Sequence, residues 1–291
     1  MIRIAFIMLC HKEPDQVNRL IKKLEDFQDA DVYIHTDLNH PEIRGAIKTG
    51  KRVFILPEEE SFRIVWGGIN MVKATLRMIK TVREAGKRYD YIWLVSGQDY
   101  PIIPARETEE RLTRNNGANY ISTIRPGEER YNFYRKLYEI KYPGWINRDS
   151  IPVKILKRLY KTATGGETHT FRLFRRKRPF CFDFMFGSQW WTLTREAAFE
   201  ILRFSEDHPE LLRYFEKTLI PDECYFQTVF MQGKYRETQR NGLTYVSMER
   251  SSRHADTLTE QDYEKVTQAG KQYCFARKFG KESQKLIRMI G

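Results

Sequence analysis

The strongest constraint on this chain is a rhythm in its first 125 residues: short apolar runs alternate with longer segments that are apolar every three to four positions. Residues 2–9, apolar except for Arg3, form a run of the kind buried on both faces of a sheet. Residues 14–24 then place Val17, Leu20, Ile21 and Leu24 on one helical face. Further strands are expected at 31–36, 52–56, 89–94 and 120–124. Helices are expected at 106–115 and behind the Trp66-Gly67-Gly68 breaker, where Val72, Leu76, Ile79 and Val82 share a face. This alternation predicts βαβ units, hence an α/β fold with a Rossmann-type, mostly parallel central sheet flanked by helices. Ligands of such sheets sit outside the carboxyl ends of the strands. Three polar groups fall there: His11-Lys12, Asp37 and Ser96-Gly97-Gln98-Asp99. Together they point to a nucleotide-type site, although the chain has neither a glycine-rich phosphate loop nor a G-x-G-x-x-G fingerprint.

The second half holds one stretch suited to chemistry, Leu219-Ile-Pro-Asp-Glu-Cys-Tyr-Phe-Gln-Thr-Val-Phe230. Pro221 is favoured at the first position of a helix. Asp222 and Glu223 would occupy the first turn, where free N–H groups favour negative charge. Phe226 and Phe230 follow Glu223 at i+3 and i+7, which predicts a carboxylate at the edge of a packed core, as a general base requires. The plainer reading is that both acids only complement the helix dipole, and the local pattern leaves the two open. Elsewhere, strands are expected around 182–192 and 243–248. Thr194 is an expected helix N-cap, Thr259 with Asp262 an expected capping box, and 281–290 a closing helix.

The net charge of +12 implies anionic partners: nucleotide phosphates, acidic lipid headgroups or nucleic acid. Residues 126–180 interleave Tyr131, Phe133, Tyr134, Tyr138 and Tyr142 with Arg130, Arg135 and Lys136. Within 154–178, nine lysines and arginines face a single acid, Glu167. A basic amphipathic helix over 151–160 would suit an anionic membrane surface; a solvated excursion between strands explains it equally well. No run of about 18 apolar residues is present, and the N-terminal run reads as a strand rather than a signal peptide. Cys10, Cys181, Cys224 and Cys274 are scattered, which fits a reducing cytoplasm, with the inner face of the membrane as a site of contact. No linker divides the chain, so residues 1–291 are expected to form one domain with a basic, aromatic excursion at about 126–180.

Several segments, in order, resemble the core-2/I-branching β-1,6-N-acetylglucosaminyltransferase family (glycosyltransferase family 14). They are His11-Lys12, Tyr33-Ile-His-Thr-Asp37, Trp66-Gly-Gly, Leu94-Val-Ser-Gly-Gln-Asp-Tyr-Pro101, Gly187-Ser-Gln-Trp-Trp191, Pro221-Asp-Glu223 and Phe275-Ala-Arg-Lys-Phe279. Each motif is weak alone; the ordered set spans nearly the whole chain. The family also includes peptide xylosyltransferases.

The resemblance implies a GT-A-like fold and an inverting transfer from a UDP-sugar, UDP-N-acetylglucosamine first among the donors. It implies Glu223 as general base. It implies that cations, Lys278 and Arg253, replace a metal at the diphosphate, so no divalent cofactor is expected. Asp37 matches the acid near the uridine, and His11 and Asp99 complete the expected donor side. Asp99 stands where other GT-A enzymes bind metal, but one acid is a poor octahedral site. Tyr131, Tyr134, Arg135, Lys136, Trp190 and Asp222 are the expected acceptor contacts. The chemistry is coherent, because charge developing on a departing diphosphate is stabilised by cations and an attacking hydroxyl loses its proton to one carboxylate. A glycoside hydrolase would want two opposed carboxylates, which sequence neighbours do not provide.

Plainer roles stand beside these. Lys278 and Arg253 also fit as surface cations, Asp37 as a turn residue, Trp190 as core, and His11 as a hydrogen-bonding group at a strand end. The family's lumenal animal members are disulfide-rich and membrane-anchored, which this chain's cysteine pattern and hydropathy do not match; a bacterial-type enzyme building a surface polysaccharide is expected. The acceptor is a glycan, with a lipid-linked one among the options. Met248 stands where an aromatic acceptor-wall residue is expected. From a different class, a basic protein gripping nucleic-acid phosphates through 154–178 would explain the charge but neither the polar strand ends nor Pro221-Asp-Glu223.

Overall fold

A computed structural model of the chain describes residues 2–139, 155, 159, 176–249 and 255–291. The first strand, β1 (Ile4–Cys10), pairs in parallel with β2 (Ala30–Thr36), and β2 with β3 (Val53–Ile55). On its other side β1 pairs in parallel with β4 (Tyr91–Ser96). Beyond β4 lie β7 (Thr192–Thr194), β6 (Asn119–Tyr120) and β8 (Gln239–Arg240), giving seven strands in the order β3-β2-β1-β4-β7-β6-β8. Only β7 runs against its neighbours. The expected mostly parallel α/β sheet is therefore present, and its chain order reverses between β1 and β4, where ligands of such sheets bind.

Side-chain alternation builds a core on each face. In β1, Ile4, Phe6, Met8 and Cys10 enter one cluster, while Ala5, Ile7 and Leu9 enter the other. In β4, Tyr91, Trp93 and Val95 join the first cluster, and Ile92 and Leu94 the second. The helix α1 (Pro14–Leu24) covers the first face with Val17, Leu20, Ile21 and Leu24. Helix α3 (Asn70–Glu84), which follows the short α2 (Pro41–Ala46), covers the second with Val72, Leu76, Ile79 and Val82. Each such fully buried aliphatic side chain stabilises the fold by roughly 1.5–3 kcal/mol. Thr194 caps the helix behind β7 by accepting from Ala197 N–H at 3.3 Å, and the Thr259–Asp262 capping box is formed.

A second, smaller sheet was not foreseen. It consists of β5 (Asp99–Pro101), β10 (Phe275–Arg277) and β9 (Thr244–Val246), in the order β5-β10-β9. The stretch 96–101 is turn-like in composition, and its strand character comes from a partner over 170 residues away, which no local pattern reports. Two other expectations shrink. The strand expected at 120–124 is reduced to β6 and a single bridge from Ile124 to Phe186. Phe182, Phe184 and Phe186 do alternate buried with exposed Cys181 and Asp183, but only that bridge pairs them before β7.

The helix expected to open at Pro221 is also different. Pro221–Glu223 forms one 3-10 turn, Cys224 breaks it at φ −138°, and an α-helix, Tyr225–Gln232, begins afterwards. Glu223 therefore does not share a continuous helical face with Phe226 and Phe230. Among the described residues, no helix is long and apolar enough to cross a membrane.

Candidate active site

The carboxyl ends of β2, β1 and β4 deliver their polar residues to one edge of the sheet. Asp37, just past β2, donates its backbone N–H to Cys10 O at 2.9 Å. Its Oδ1 accepts from Asn39 N–H at 2.9 Å and Ile64 N–H at 3.0 Å, which fixes the carboxylate. His11 follows β1. Burial, then the charge of Lys12, lowers its pKa, while Asp37 opposes that shift. Gly97 turns the chain after β4 by donating to Leu9 O at 3.0 Å. A Cβ there would meet Val17 Cγ2 at 2.8 Å, so packing against α1 requires glycine.

Asp99 lies in β5 directly opposite Arg277 in β10. Both side chains are buried, and Arg277 Nε stands 3.6 Å from Asp99 Oδ1. The other carboxylate oxygen accepts from Ser96 N–H at 2.8 Å. Burial raises the Asp99 pKa to about 6, against the pull of Arg277 and the Ser96 N–H. The Arg277 guanidinium carbon lies 4.0 Å from the centre of the Trp190 ring, within cation–π range. Its Nη1 has no hydrogen-bond partner among the described residues. Lys278 follows, half-buried, donating its N–H to Asp256 O at 3.0 Å. Burial, then the charges of Arg277 and Lys12, lowers its pKa.

Glu223 approaches the same cleft from the other half of the chain. Its side chain is exposed to solvent at one side, while the surrounding protein still desolvates the carboxylate. That desolvation and the Asp222 charge raise its pKa to about 7, and Arg277 pulls it down. Glu223, Arg277, Lys278, Lys12 and His11 thus form one run of mutually interacting charges. Asp222 is buried, with Oδ1 lacking a hydrogen-bond partner among the described residues and its pKa raised to about 6 by burial.

The turn bearing Glu223 is held from three sides. Ile220 adopts φ 52°, a left-handed conformation unusual for a β-branched residue. Its N–H donates to Gly67 O at 2.9 Å, and its carbonyl accepts from the Tyr138 hydroxyl at 2.8 Å. Backbone strain next to a reactive group persists only where the surroundings enforce it. On the third side Gly187 N–H donates to Glu223 O at 2.9 Å. A Cβ on Gly187 would lie 1.8 Å from Ser122 O, so no other residue fits. Gln227 donates to Ser188 O at 2.7 Å, tying the same segment to the following helix.

The structure thus brings together His11, Asp37, Asp99, Asp222, Glu223, Lys278 and Trp190. Arg253 lies outside the described residues, as does most of the basic stretch 154–178. The expected acceptor residues divide. In α5 (Tyr131–Glu139), Tyr131 is buried against Phe186 and acts as core packing. Tyr134 also packs on Phe186, and exposed Arg135 pairs with Glu139 at 3.7 Å. The Lys136 side chain is outside the described residues.

Two residues of the site were missed. Arg277 carries a partial signal: it stands two residues after the fully buried Phe275 in β10 and so shares its face of the strand. Tyr138 carries none, since its partner is a backbone carbonyl 82 residues away. Among the described residues, no three of His, Cys, Asp and Glu gather as a metal-ligand set.

The model of the Core-2/I-Branching enzyme family matches residues 4–270, which takes in every element of this cleft except β10. The chain belongs to the core-2/I-branching enzyme family. Its relatives carry two kinds of name. Xylosyltransferase oxt of Drosophila melanogaster is 25% identical over 240 residues, covering 80% of this chain and 25% of the fly protein. Mouse beta-1,3-galactosyl-O-glycosyl-glycoprotein beta-1,6-N-acetylglucosaminyltransferase 4 is 23% identical over 235 residues, covering 78% of this chain and 46% of the mouse protein. Mouse N-acetyllactosaminide beta-1,6-N-acetylglucosaminyl-transferase is 23% identical over 232 residues, covering 78% and 52%. The chain therefore spans about a quarter to a half of the length of these family members.

Proposed function

We propose that this chain transfers a sugar, N-acetylglucosamine first among the candidates, from a UDP-linked donor to a hydroxyl of a glycan acceptor, with inversion. Family membership supports the reaction class. What supports the mechanism is that the buried cation Arg277 acts electrostatically on Glu223 and is followed in the chain by Lys278, at the carboxyl edge of the sheet.

In this reading the acceptor hydroxyl loses its proton to Glu223 as its oxygen bonds to the anomeric carbon. The bond from that carbon to the diphosphate breaks on the opposite side, and its electron pair leaves with UDP. The Glu223 carboxylate must be ionised to act, and its raised pKa makes it a stronger base near neutral pH. Lys278 stabilises the charge on the departing diphosphate, with Arg253 as its expected companion. Asp37, held by two backbone N–H groups, suits a hydroxyl or N–H of the nucleoside. The reading uses no divalent metal, and it is supported by Asp99, the acid that would anchor one, facing a buried guanidinium. A lipid-linked acceptor at an anionic membrane surface is the partner that the basic segment would serve.

The test is a panel of nucleotide sugars, read by UDP release and thermal shift with and without EDTA. The reading expects a response to UDP-N-acetylglucosamine that EDTA leaves unchanged. UDP-xylose as the preferred donor would move the chain to the specificity named in its xylosyltransferase relatives. No response to any UDP-sugar, with salt-sensitive binding to RNA or DNA, would replace the reading altogether.

A further inference from the structure

Trp190 lies in a segment tied to both halves of the cleft. Three residues earlier, Gly187 N–H bonds the carbonyl of Glu223 at 2.9 Å, and Ser188 O is held by Gln227 at 2.7 Å. At its far end the Trp190 ring lies 4.0 Å from the Arg277 guanidinium carbon. One face of the indole is therefore already covered by a cation. That position differs from the acceptor wall expected of Trp190, where an open aromatic face would meet a sugar.

Arg277 needs such support. It is buried, and among the described residues its one ion pair, to Asp99, spans 3.6 Å, which is longer than a hydrogen bond. Nη1 has no hydrogen bond among the described residues. Neither contact fixes where the guanidinium sits relative to Glu223, and the Trp190 face supplies the missing restraint. A cation held over a tryptophan face is stabilised, more so when desolvated.

We propose that Trp190 is a positioning residue: its ring clamps the Arg277 guanidinium so that one buried cation serves both Asp99 and the base Glu223. The inference rests on the functional reading above for the role of Glu223. The charges and titratable groups acting on Glu223 are Arg277 from β10 and Asp222 on its own turn. Glu223 in turn acts on Tyr138 from α5 and on Cys224, the next residue. Only Arg277 among these favours its ionised form. Releasing Arg277 from the ring leaves the carboxylate with burial and Asp222 alone.

The experiment is a carboxyl-carbon NMR titration of Glu223 in the wild type, Trp190→Leu and Trp190→Phe, with Glu223→Gln assigning the signal. Trp190→Leu should raise the Glu223 pKa by about half a unit or more, and Trp190→Phe, which keeps an aromatic face, should return most of it. An unchanged titration in folded Trp190→Leu overturns the proposal; should that variant not fold, an unchanged titration in folded Trp190→Met or Trp190→Gln does so. Hydrolysis of UDP-N-acetylglucosamine, with water as acceptor, gives a second readout. A clamp predicts slower hydrolysis in Trp190→Leu with UDP affinity kept, whereas an acceptor wall predicts the wild-type rate and contradicts the clamp. If the wild type hydrolyses no UDP-sugar, the functional reading falls, while the titration still decides the clamp.

Discussion

Arg277 and Asp99 face each other at one register of adjacent antiparallel strands, Nε to Oδ1 at 3.6 Å, both buried. Removing one partner strands a charge in the protein interior. Arg277→Leu is expected to destabilise the fold by about 3–5 kcal/mol. Asp99→Asn should cost at least as much, because the buried guanidinium it strands cannot lose its charge, whereas Asp99, its pKa already raised to about 6, can take up a proton when Arg277 is removed. Urea unfolding of both variants checks the order.

Three acids in the cleft have raised pKa values: Glu223 to about 7, and Asp99 and Asp222 to about 6. In each, burial is the first cause. The folded protein therefore holds protons that the unfolded chain, with ordinary values of 4.5 and 3.8, has already released. Their contribution to stability is fully present below the unfolded values. It is lost as pH rises from about 4 through about 6, at up to about 1.4 kcal/mol per pH unit for each of the buried Asp99 and Asp222, while the solvent-open Glu223 adds less. Unfolding free energy measured across this range should decline, and the decline should be shallower in Asp222→Asn.

Glu223→Gln should lower transfer by about 100- to 10,000-fold, the usual worth of a general base. In the wild type, kcat/KM should rise with pH up to about 7 and then level, since the base must be ionised. Turnover in Glu223→Gln close to wild type would remove Glu223 from that role.

Tyr138 holds the Ile220 carbonyl at 2.8 Å, behind the turn that carries Glu223. Tyr138→Phe is expected to cost about 1 kcal/mol of stability and to lower kcat more than it raises the KM for donor. Steady-state kinetics on donor hydrolysis separates the two.

Gly187→Ala places a methyl group 1.8 Å from Ser122 O. The strand segment must shift, taking the Gly187–Glu223 hydrogen bond with it. A loss of about 3 kcal/mol or more is expected, together with loss of activity in whatever fraction stays folded; thermal melts and assays on the soluble fraction read both.

The parallel sheet was legible because its signals are local. Residues 2–9 and 89–94 are apolar runs, and α1 and α3 carry their apolar stripes in sequence. The strand ends that bear His11, Asp37 and Asp99 followed from that reading. The small sheet was not legible, because β5 becomes a strand only through β10. The local geometry of Glu223 was misjudged for a related reason. Pro221-Asp-Glu223 reads as a helix start, but the contacts of Ile220 with Gly67 and Tyr138 force a 3-10 turn first. Arg277 went unnoticed beside Lys278, since charge alone does not say which of two adjacent cations is buried.

The most direct measurement is calorimetric titration of UDP into the wild type, Lys278→Ala and Glu223→Gln, each in excess EDTA. The account predicts that the wild type binds without metal and that Glu223→Gln binds nearly as well. It predicts that Lys278→Ala loses about tenfold to a hundredfold, the worth of one charged hydrogen bond. Binding that vanishes in EDTA, or that is indifferent to Lys278, would contradict it.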